Sequence, residues 1–462
     1  MKKIAIAMVC MLLMVSVGVS LFAQGAKETA STPQRKEKIV WAAYGYLAEG
    51  KADRIKADFE AKYPQYEVEY VDLGSTDYLV RLDTMVAAGE RLDMALAMDS
   101  VAYTSRAREG MFESIGDYLA EDGFDLYDAF GDGIKASFIG DKIYGLPYTK
   151  GGFYVFYNKD MFDAAKVAYP TDDWTWAQFE AIAKTMTKGT GANKTYGANI
   201  HFTWGFDIDT LPAQMAGWSP FKNGDKNTPN MDDPRLKNAL LMWNRMQNID
   251  KTAISLQTFK AEQIGSRMPF AKGQSSMLLS NWWSASWFVS SKFGSAEGDK
   301  ILNFNLGVAN IPRPDASVPN NLNATDLDYY FAVPRTTKNA KGGALLARFM
   351  ITDMWPKFGT LSSYRYEDLV EFKKNFVTYK DSAGTMHTMN YSDEIVTKVM
   401  GGWTQPISAY YNFDNKINPQ GLAVMKDIYD QERQLYFLGE QSIDATLAAM
   451  QKRAQAELKS LK

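Results

Sequence analysis

Short apolar runs alternate with amphipathic helical periods along most of the chain. Lys38–Ala43 (KIVWAA) is a compact run of β-branched and aromatic residues, which reads as a strand. Ala52, Ile55 and Phe59 then recur at helical spacing, and the period ends before Tyr63-Pro64. Glu67–Leu73 alternates Val68 and Tyr70 against acids, a second strand. Tyr78, Leu82 and Met85 mark a second helix, and Leu92–Met98 a buried third strand. Strand, helix, strand, helix, strand in this order predicts right-handed crossovers and a parallel sheet. The pattern returns later. Asp233 ahead of Pro234 is a helix start, and Leu236, Leu240 and Trp243 give that helix its apolar face. Near the C-terminus Ser442 caps a helix whose face is Ile443, Leu447, Met450, Ala454 and Leu458. There is no repeat of solenoid period and no low-complexity stretch beyond 24–37.

The first residues have a different character. Lys2 and Lys3 precede an apolar stretch, Ile4–Phe22, and then Ala23, Gln24, Gly25, Ala26 and the polar run KETASTPQRKEK. A basic start, an apolar stretch and small residues before a polar segment describe a secretory signal peptide, here residues 1–23, cut near Ala23. The stretch approaches the roughly 20 residues that span a bilayer, but Ser16, Gly18 and Ser20 dilute it and favour cleavage over an anchor. Cys10, preceded by Val9, sits too early for a lipid-attachment site. Cleavage removes the single cysteine, and a thiol-free exported protein is indifferent to an oxidising compartment. A periplasmic or otherwise extracytoplasmic location is expected.

Composition narrows the chemistry. With 462 residues the chain exceeds what one core usually holds, so at least two lobes are expected. A net charge of −3 does not suggest a nucleic-acid binder. Two histidines, His201 and His387, with one cysteine leave no material for a Cys/His metal site, a cysteine nucleophile or a disulfide framework. No phosphate-cradling glycine motif follows the first strand. No catalytic residue, cofactor or metal is therefore expected. Paired carboxylates cannot be excluded by counting, because 54 acids always offer pairs.

What stands out is aromatic. The chain has 11 Trp, 25 Tyr and 25 Phe. SNWWSASW places Trp282, Trp283 and Trp287 directly after the strand-like SSMLL; NIHFTWGFD holds Trp204, MAGW holds Trp218, GGWTQPISAYY holds Trp403, Tyr410 and Tyr411, and the first strand runs into WAAYGY. Sugar rings stack their C–H faces on flat aromatic side chains, while their hydroxyls need paired polar groups. Tryptophans also fill cores, and Trp243, Trp174 and Trp176 are assigned there. Clusters at strand ends differ, because ligands of open α/β sheets lie outside the carboxyl ends of strands.

From about residue 38 onward the chain resembles the family 1 extracellular solute-binding proteins, the maltose-binding-protein-like receptors of ABC sugar importers. The resemblance is carried by DKIYGLPYTKGGFYVFYNKDMF (141–162), WTWAQFEAIAKTMT (174–187), FAKGQSSMLLSNWW (270–283), FAVPRTTKNAKGGALLARFMIT (331–352) and GEQSIDATLAAMQKRAQAEL near the end. Each alone is weak; five in order are specific. Two departures stand against it: the family's Pro-Asp before the third strand is Leu92-Asp93 here, and 353–403 matches poorly.

The resemblance implies an α/β fold of two Rossmann-like lobes joined by hinge strands, the type II periplasmic-binding-protein arrangement, with the ligand cleft between lobes. It places lobe I at 36–148 plus 315–362 and lobe II at 149–314 plus 363–462, after the polar linker 24–37. Crossings are expected near Pro147–Gly151 and Pro312–Pro319. It implies a monomeric, non-enzymatic receptor that captures a sugar and delivers it to permease subunits of an ABC transporter. Ligand candidates are Tyr44, Tyr46, Asp99 and Asp328 from lobe I, Tyr148 and Lys150 near the hinge, and Trp204, Trp283, Trp403 and Tyr410 from lobe II. Trp283 matches the family's stacking tryptophan, and its neighbour Trp282 is expected to point the other way. Two alternatives stay open: a non-sugar solute (polyol, glycerophosphodiester or peptide) on the same fold, and a secreted carbohydrate-active enzyme.

Overall fold

The structure is a computed structural model. It describes residues 35–45, 51–200, 202, 205–222, 225, 227–265, 267–281, 284–285, 287–288, 302–318, 326–354, 363–364, 378–380, 386–388, 394, 398–399 and 419–460. The leader and most of the 24–37 linker lie outside them.

The chain begins with β1 (Glu37–Ala43), α1 (Lys51–Lys62), β2 (Tyr66–Asp72), α2 (Tyr78–Ala87) and β3 (Met94–Leu96), followed by α3 (Ser100–Arg108). α1 buries Ala52, Ile55 and Phe59 as its phase predicts; α2 buries Tyr78 and Leu82 as predicted, but its third buried position is Val86, and Met85 is half-buried. A two-residue hairpin pair, β4 (Phe138–Ile139) and β5 (Lys142–Ile143), leads into β6 (Gly145–Gly151) and β7 (Phe153–Asn158). Then come α4 (Trp176–Met186), β8 (Tyr196–Ile200), α5 (Gly205–Asp209), α6 (Pro234–Asn244), β9 (Ser275–Asn281), β10 (Leu306–Asn310), β11 (Asp326–Ala332) and α7 (Ala340–Phe349). Two long helices, α8 (Pro419–Phe437) and α9 (Ile443–Ser460), end the described chain.

Two separate sheets organise these elements. The first has the order β2-β1-β3-β11-β6 and the second β10-β7-β9-β8. In the first, β1 runs parallel to β2 and β3, as the alternating pattern predicts, while β11 is antiparallel to both β3 and β6. In the second, β8 and β9 are parallel and β7 is antiparallel to its neighbours. Each sheet has its own core. The first packs Trp41, Phe59, Leu82 and Met94 with Phe331, Leu346 and Phe349; the second packs Trp174, Phe179 and Met277 with Trp243, Tyr429 and Met450. Only one residue, Gly152, separates β6 in the first sheet from β7 in the second.

Close approaches demand small residues at two places. A Cβ on Gly343 of α7 would sit 1.9 Å from the Asp93 carbonyl oxygen, so the helix can reach the sheet only without a side chain there. Gly307 of β10 lies under the Tyr157 ring, where a Cβ would come within 2.2 Å.

Asp233 caps α6 as its sequence context predicts. Its Oδ1 accepts from the Arg235 N–H at 2.8 Å, Arg235 Nη2 donates to Oδ2 at 2.6 Å, and Asn230 Nδ2 donates at 3.1 Å. The Arg235 side chain is the main cause that holds this carboxyl down at about 2, below its ordinary 3.8. A lowered carboxyl adds stability above pH ~4 and loses it as pH falls toward 2. Asp233→Ala is expected to cost about 1 kcal/mol at neutral pH and to flatten the decline between pH 4 and 2. Urea melts across that range check both.

Candidate functional site

The carboxyl ends of the parallel strands of both sheets meet at the β6–β7 crossing. β1, β3 and β6 point the same way, because β6 and β3 each run antiparallel to β11. In the second sheet Phe153, the first residue of β7, pairs with Asn281, the last of β9, and Ile200, the last of β8, pairs with Leu279. The chain therefore leaves the carboxyl edge of one sheet and enters the carboxyl edge of the other.

On the first edge, Tyr44 follows β1, half-buried, its ring 5.1 Å from that of Tyr78. Asp99 follows β3 and is exposed, and its Oδ1 accepts the Ala102 N–H at 2.9 Å as the cap of α3. That commits one carboxylate oxygen and leaves Oδ2 without a hydrogen-bond partner among the described residues. Lys150 and Asp328 are placed by their backbones, on adjacent strands in the registers Leu327↔Lys150 and Asp328↔Thr149. Tyr148 is buried, its ring 4.7 Å from Phe331 and 5.5 Å from Tyr329. It supports the edge from beneath more than it lines it. Tyr46, Trp204, Trp283, Trp403 and Tyr410 lie outside the described residues, as does Trp282. In chain order Trp204 comes after β8 and Trp283 after β9.

Three residues here were missed by sequence reasoning. Met98 and Tyr329 are non-glycine residues with left-handed φ of 57° and 54°, a conformation that costs of order 1–3 kcal/mol and collects at functional sites. They stand side by side: the Tyr330 N–H donates to the Met98 carbonyl at 2.9 Å, and the Ala97 N–H to the Tyr330 carbonyl at 2.6 Å. The step at Tyr329 interrupts the β11–β6 ladder and shifts the strand's phase, so Leu327 and Tyr330 both face the small cluster around Tyr103. The Tyr148 carbonyl opposite accepts from the Ser363 N–H at 3.1 Å, and Ser363 Oγ donates to the Pro147 carbonyl, so a third segment is fastened at the crossing. Sequence carries no sign of this, because Tyr329 is neither Gly nor Asn. Asn281 is the third: its Oδ1 is buried at the end of β9 with no partner among the described residues.

The tryptophans divide. Trp174 and Trp243 are core, as expected, with indole N–H groups donated to the Asn310 and Asp209 carbonyls at 2.7 and 2.8 Å. Trp176 is buried too. Trp41 and Trp218, from segments read as ligand-bearing, are also core; Trp218 donates to the Asn230 carbonyl at 2.8 Å. Trp287 lies under the Arg267 guanidinium, 4.7 Å from the ring centre.

Behind the segment that follows β8 lies a buried charge cluster. Arg433 Nη1 is 3.1 Å from Asp209 Oδ2, with both side chains almost wholly enclosed. Burial raises the Asp209 carboxyl to about 7, against the opposing pull of Arg433. Among the described residues no group of three or more His, Cys, Asp or Glu could hold a metal ion, and no helix is long and apolar enough to cross a membrane.

Comparison with known proteins gives this arrangement its class. A sugar transporter from Rhizobium etli, solved in an open conformation, superposes with a TM-score of 0.70 at 23% identity, over 91% of this chain and 99% of that one. The sugar-binding protein MalE of Xanthomonas citri gives 0.70 at 19%, over 92% and 98%. An ABC substrate-binding protein from Listeria monocytogenes, in complex with cycloalternan, gives 0.68 at 18%, over 92% and 99%. The fold is thus the α/β, two-lobed type II periplasmic-binding-protein fold, with its cleft between the lobes. Residues 43–355 match the family described as bacterial extracellular solute-binding protein, and the chain belongs to that family.

Proposed function

We propose that the protein is an extracytoplasmic receptor that closes on a sugar or oligosaccharide between its lobes and delivers it to the permease of an ABC transporter. The observation that carries this reading is topological. Carboxyl ends of parallel strands from both sheets converge on one crossing, and the aromatic segments with Trp204 and Trp283 leave from two of those ends. The solved structures of similar fold, described as sugar-binding or sugar-transporting, support the same class of ligand.

In this reading lobe I is 36–148 plus 315–362, and lobe II is 149–314 plus 363–462. Residues 1–23 are cleaved on export, and the receptor acts as a monomer. Tyr44, Tyr46, the Oδ2 of Asp99, Lys150 and Asp328 present one wall, with Tyr148 beneath. Trp204, Trp283, Trp403 and Tyr410 present the other. A solute that touches both walls only when they approach shifts the population toward the closed form, which is the form a permease would recognise. None of these roles needs a group that makes or breaks bonds.

A thermal-shift screen of neutral mono-, di- and trisaccharides tests the reading, since a solute bound only by the folded state raises stability by mass action. At least one saccharide is expected to raise the melting temperature and to be recovered unchanged. Its affinity is expected to change little between low and moderate salt, because stacking and short hydrogen bonds are barely screened. Stabilisation by a glycerophosphodiester alone, with a steep salt dependence, would refute the sugar assignment.

A further inference from the structure

We infer that Arg433 is a positioning residue of the solute site: one buried guanidinium fixes both ends of the segment Phe202–Asp209, which follows the carboxyl end of β8. The inference rests on the reading of that edge as solute-facing. Arg433 lies on α8. Its Nη2 donates to the Phe202 carbonyl at 2.8 Å, and its Nη1 faces Asp209 Oδ2 at 3.1 Å. Nε donates to Asp430 Oδ1 at 2.9 Å, which orients the planar group from its own helix. The arginine side chain is 2% exposed and that of Asp209 is fully buried.

The same helix face holds the middle of the segment. Lys426 pairs with Asp207 at 2.8 Å, and the Tyr429 ring meets Phe206 edge-on at 5.1 Å. Positions 426, 429 and 433 share a face at helical spacing. Asp209 is itself tied to α6, since its carbonyl accepts the Trp243 indole N–H at 2.8 Å. The segment is therefore clamped at its start, middle and end.

Stability does not explain the charges. Apolar residues of similar volume are often as good as a buried ion pair or better, and the Tyr429 hydroxyl beside this one is buried with no partner among the described residues. What a guanidinium offers that an apolar side chain lacks is a rigid fork of donors. Here Nη2 donates to the carbonyl at one end of the segment and Nη1 forms an ion pair with the carboxylate at the other, so one planar group holds Phe202 and Asp209 together.

The test removes the pair as a unit, in the full chain. Arg433→Met combined with Asp209→Leu is expected to fold cooperatively with a melting temperature near that of the parent. Hydrogen exchange of the ligand-free variant is expected to be at least tenfold faster over Phe202–Asp209 and unchanged in β8 and α6. Dissociation constants for maltotriose and mannotriose are expected to rise at least tenfold for whichever of them the parent binds. Arg433→Lys keeps the charge and loses the fork, so it should speed exchange in the same segment; it also serves if the double variant does not fold. Exchange that stays at the parental rate in either folded variant overturns the inference. So does faster exchange with unchanged saccharide affinity, which would make Arg433 a brace for a segment outside the site. If the parent binds neither sugar, the affinities are compared with the saccharide that the thermal-shift screen identifies, and the exchange rates decide independently whether Arg433 sets the segment.

Discussion

Asp93→Ala is expected to remove about 3–5 kcal/mol of folding stability, as loss of a buried charged partner typically does, while leaving solute affinity of the folded fraction near normal. The Asp93 side chain is fully buried at the amino end of β3. Its Oδ2 accepts from the Val40 N–H and from Arg91 Nε, each at 2.9 Å. Its Oδ1 accepts from Thr337 Oγ1 at 2.8 Å and from the N–H groups of Lys338 and Asn339 at 2.8 and 2.9 Å. One carboxylate thus ties β1 to β3 and both to the turn that starts α7, whose cap is Asn339. Alanine leaves the buried Val40 N–H and the part-buried N–H groups of Lys338 and Asn339 without this acceptor, and a buried donor so orphaned costs about 1–3 kcal/mol. Against a typical total of roughly 5–15 kcal/mol the loss is large. Asp93→Asn should recover only part of it, since the amide puts a donor where one oxygen now accepts. Guanidinium melts measure stability, and titration at low temperature measures affinity. A loss below about 1 kcal/mol would mean that water or neighbouring groups satisfy these donors. The position lies at the edge of the sheet opposite the solute site, which is why the two readouts should separate.

This residue also shows where sequence was informative. Leu92-Asp93 departs from the family's Pro-Asp, yet the acid is the half that does the bonding, and Leu92 is simply buried. Helix phases were legible because burial follows a period of 3.6 residues: Ser442 accepts the Ala445 N–H, and Leu447, Met450, Ala454 and Leu458 are buried as spaced. The insertion of β11 and β6 as an antiparallel pair beside three parallel strands was not legible, since nothing in GLPYTKG or DLDYYFA sets strand direction and their partners lie far off in the chain. The third strand was read as Leu92–Met98 but holds ladder pairing only over Met94–Leu96, because Met98 turns left-handed ahead of the Asp99 cap. Tryptophan content misled in part. Trp41 lies inside β1 and Trp218 against Asn230, where packing and an indole hydrogen bond claim them. The Arg433–Asp209 pair joins positions that no local pattern connects.

Trp283→Ala is expected to weaken saccharide binding by ~2 kcal/mol or more, as loss of a buried aromatic anchor does, which is roughly thirtyfold or greater in dissociation constant. Trp283 lies outside the described residues, two positions beyond the end of β9. β9 ends at Asn281 on the carboxyl edge, paired with Phe153 at the point where the chain crosses between sheets. The tryptophan two residues beyond matches the stacking tryptophan of the family motif, and we propose that its indole forms a wall for a sugar ring. A cleft wall faces water when empty. Its removal should therefore cost the ligand-free protein little, because water fills the space. A core tryptophan behaves in the opposite way: truncation would cost about 3–5 kcal/mol of folding stability through the cavity it leaves. Calorimetric titration reads the first quantity and denaturant melts of the ligand-free protein read the second. Near-normal affinity with a badly destabilised ligand-free protein would remove Trp283 from the site and leave Trp204 and Trp403 as the aromatic walls to test next.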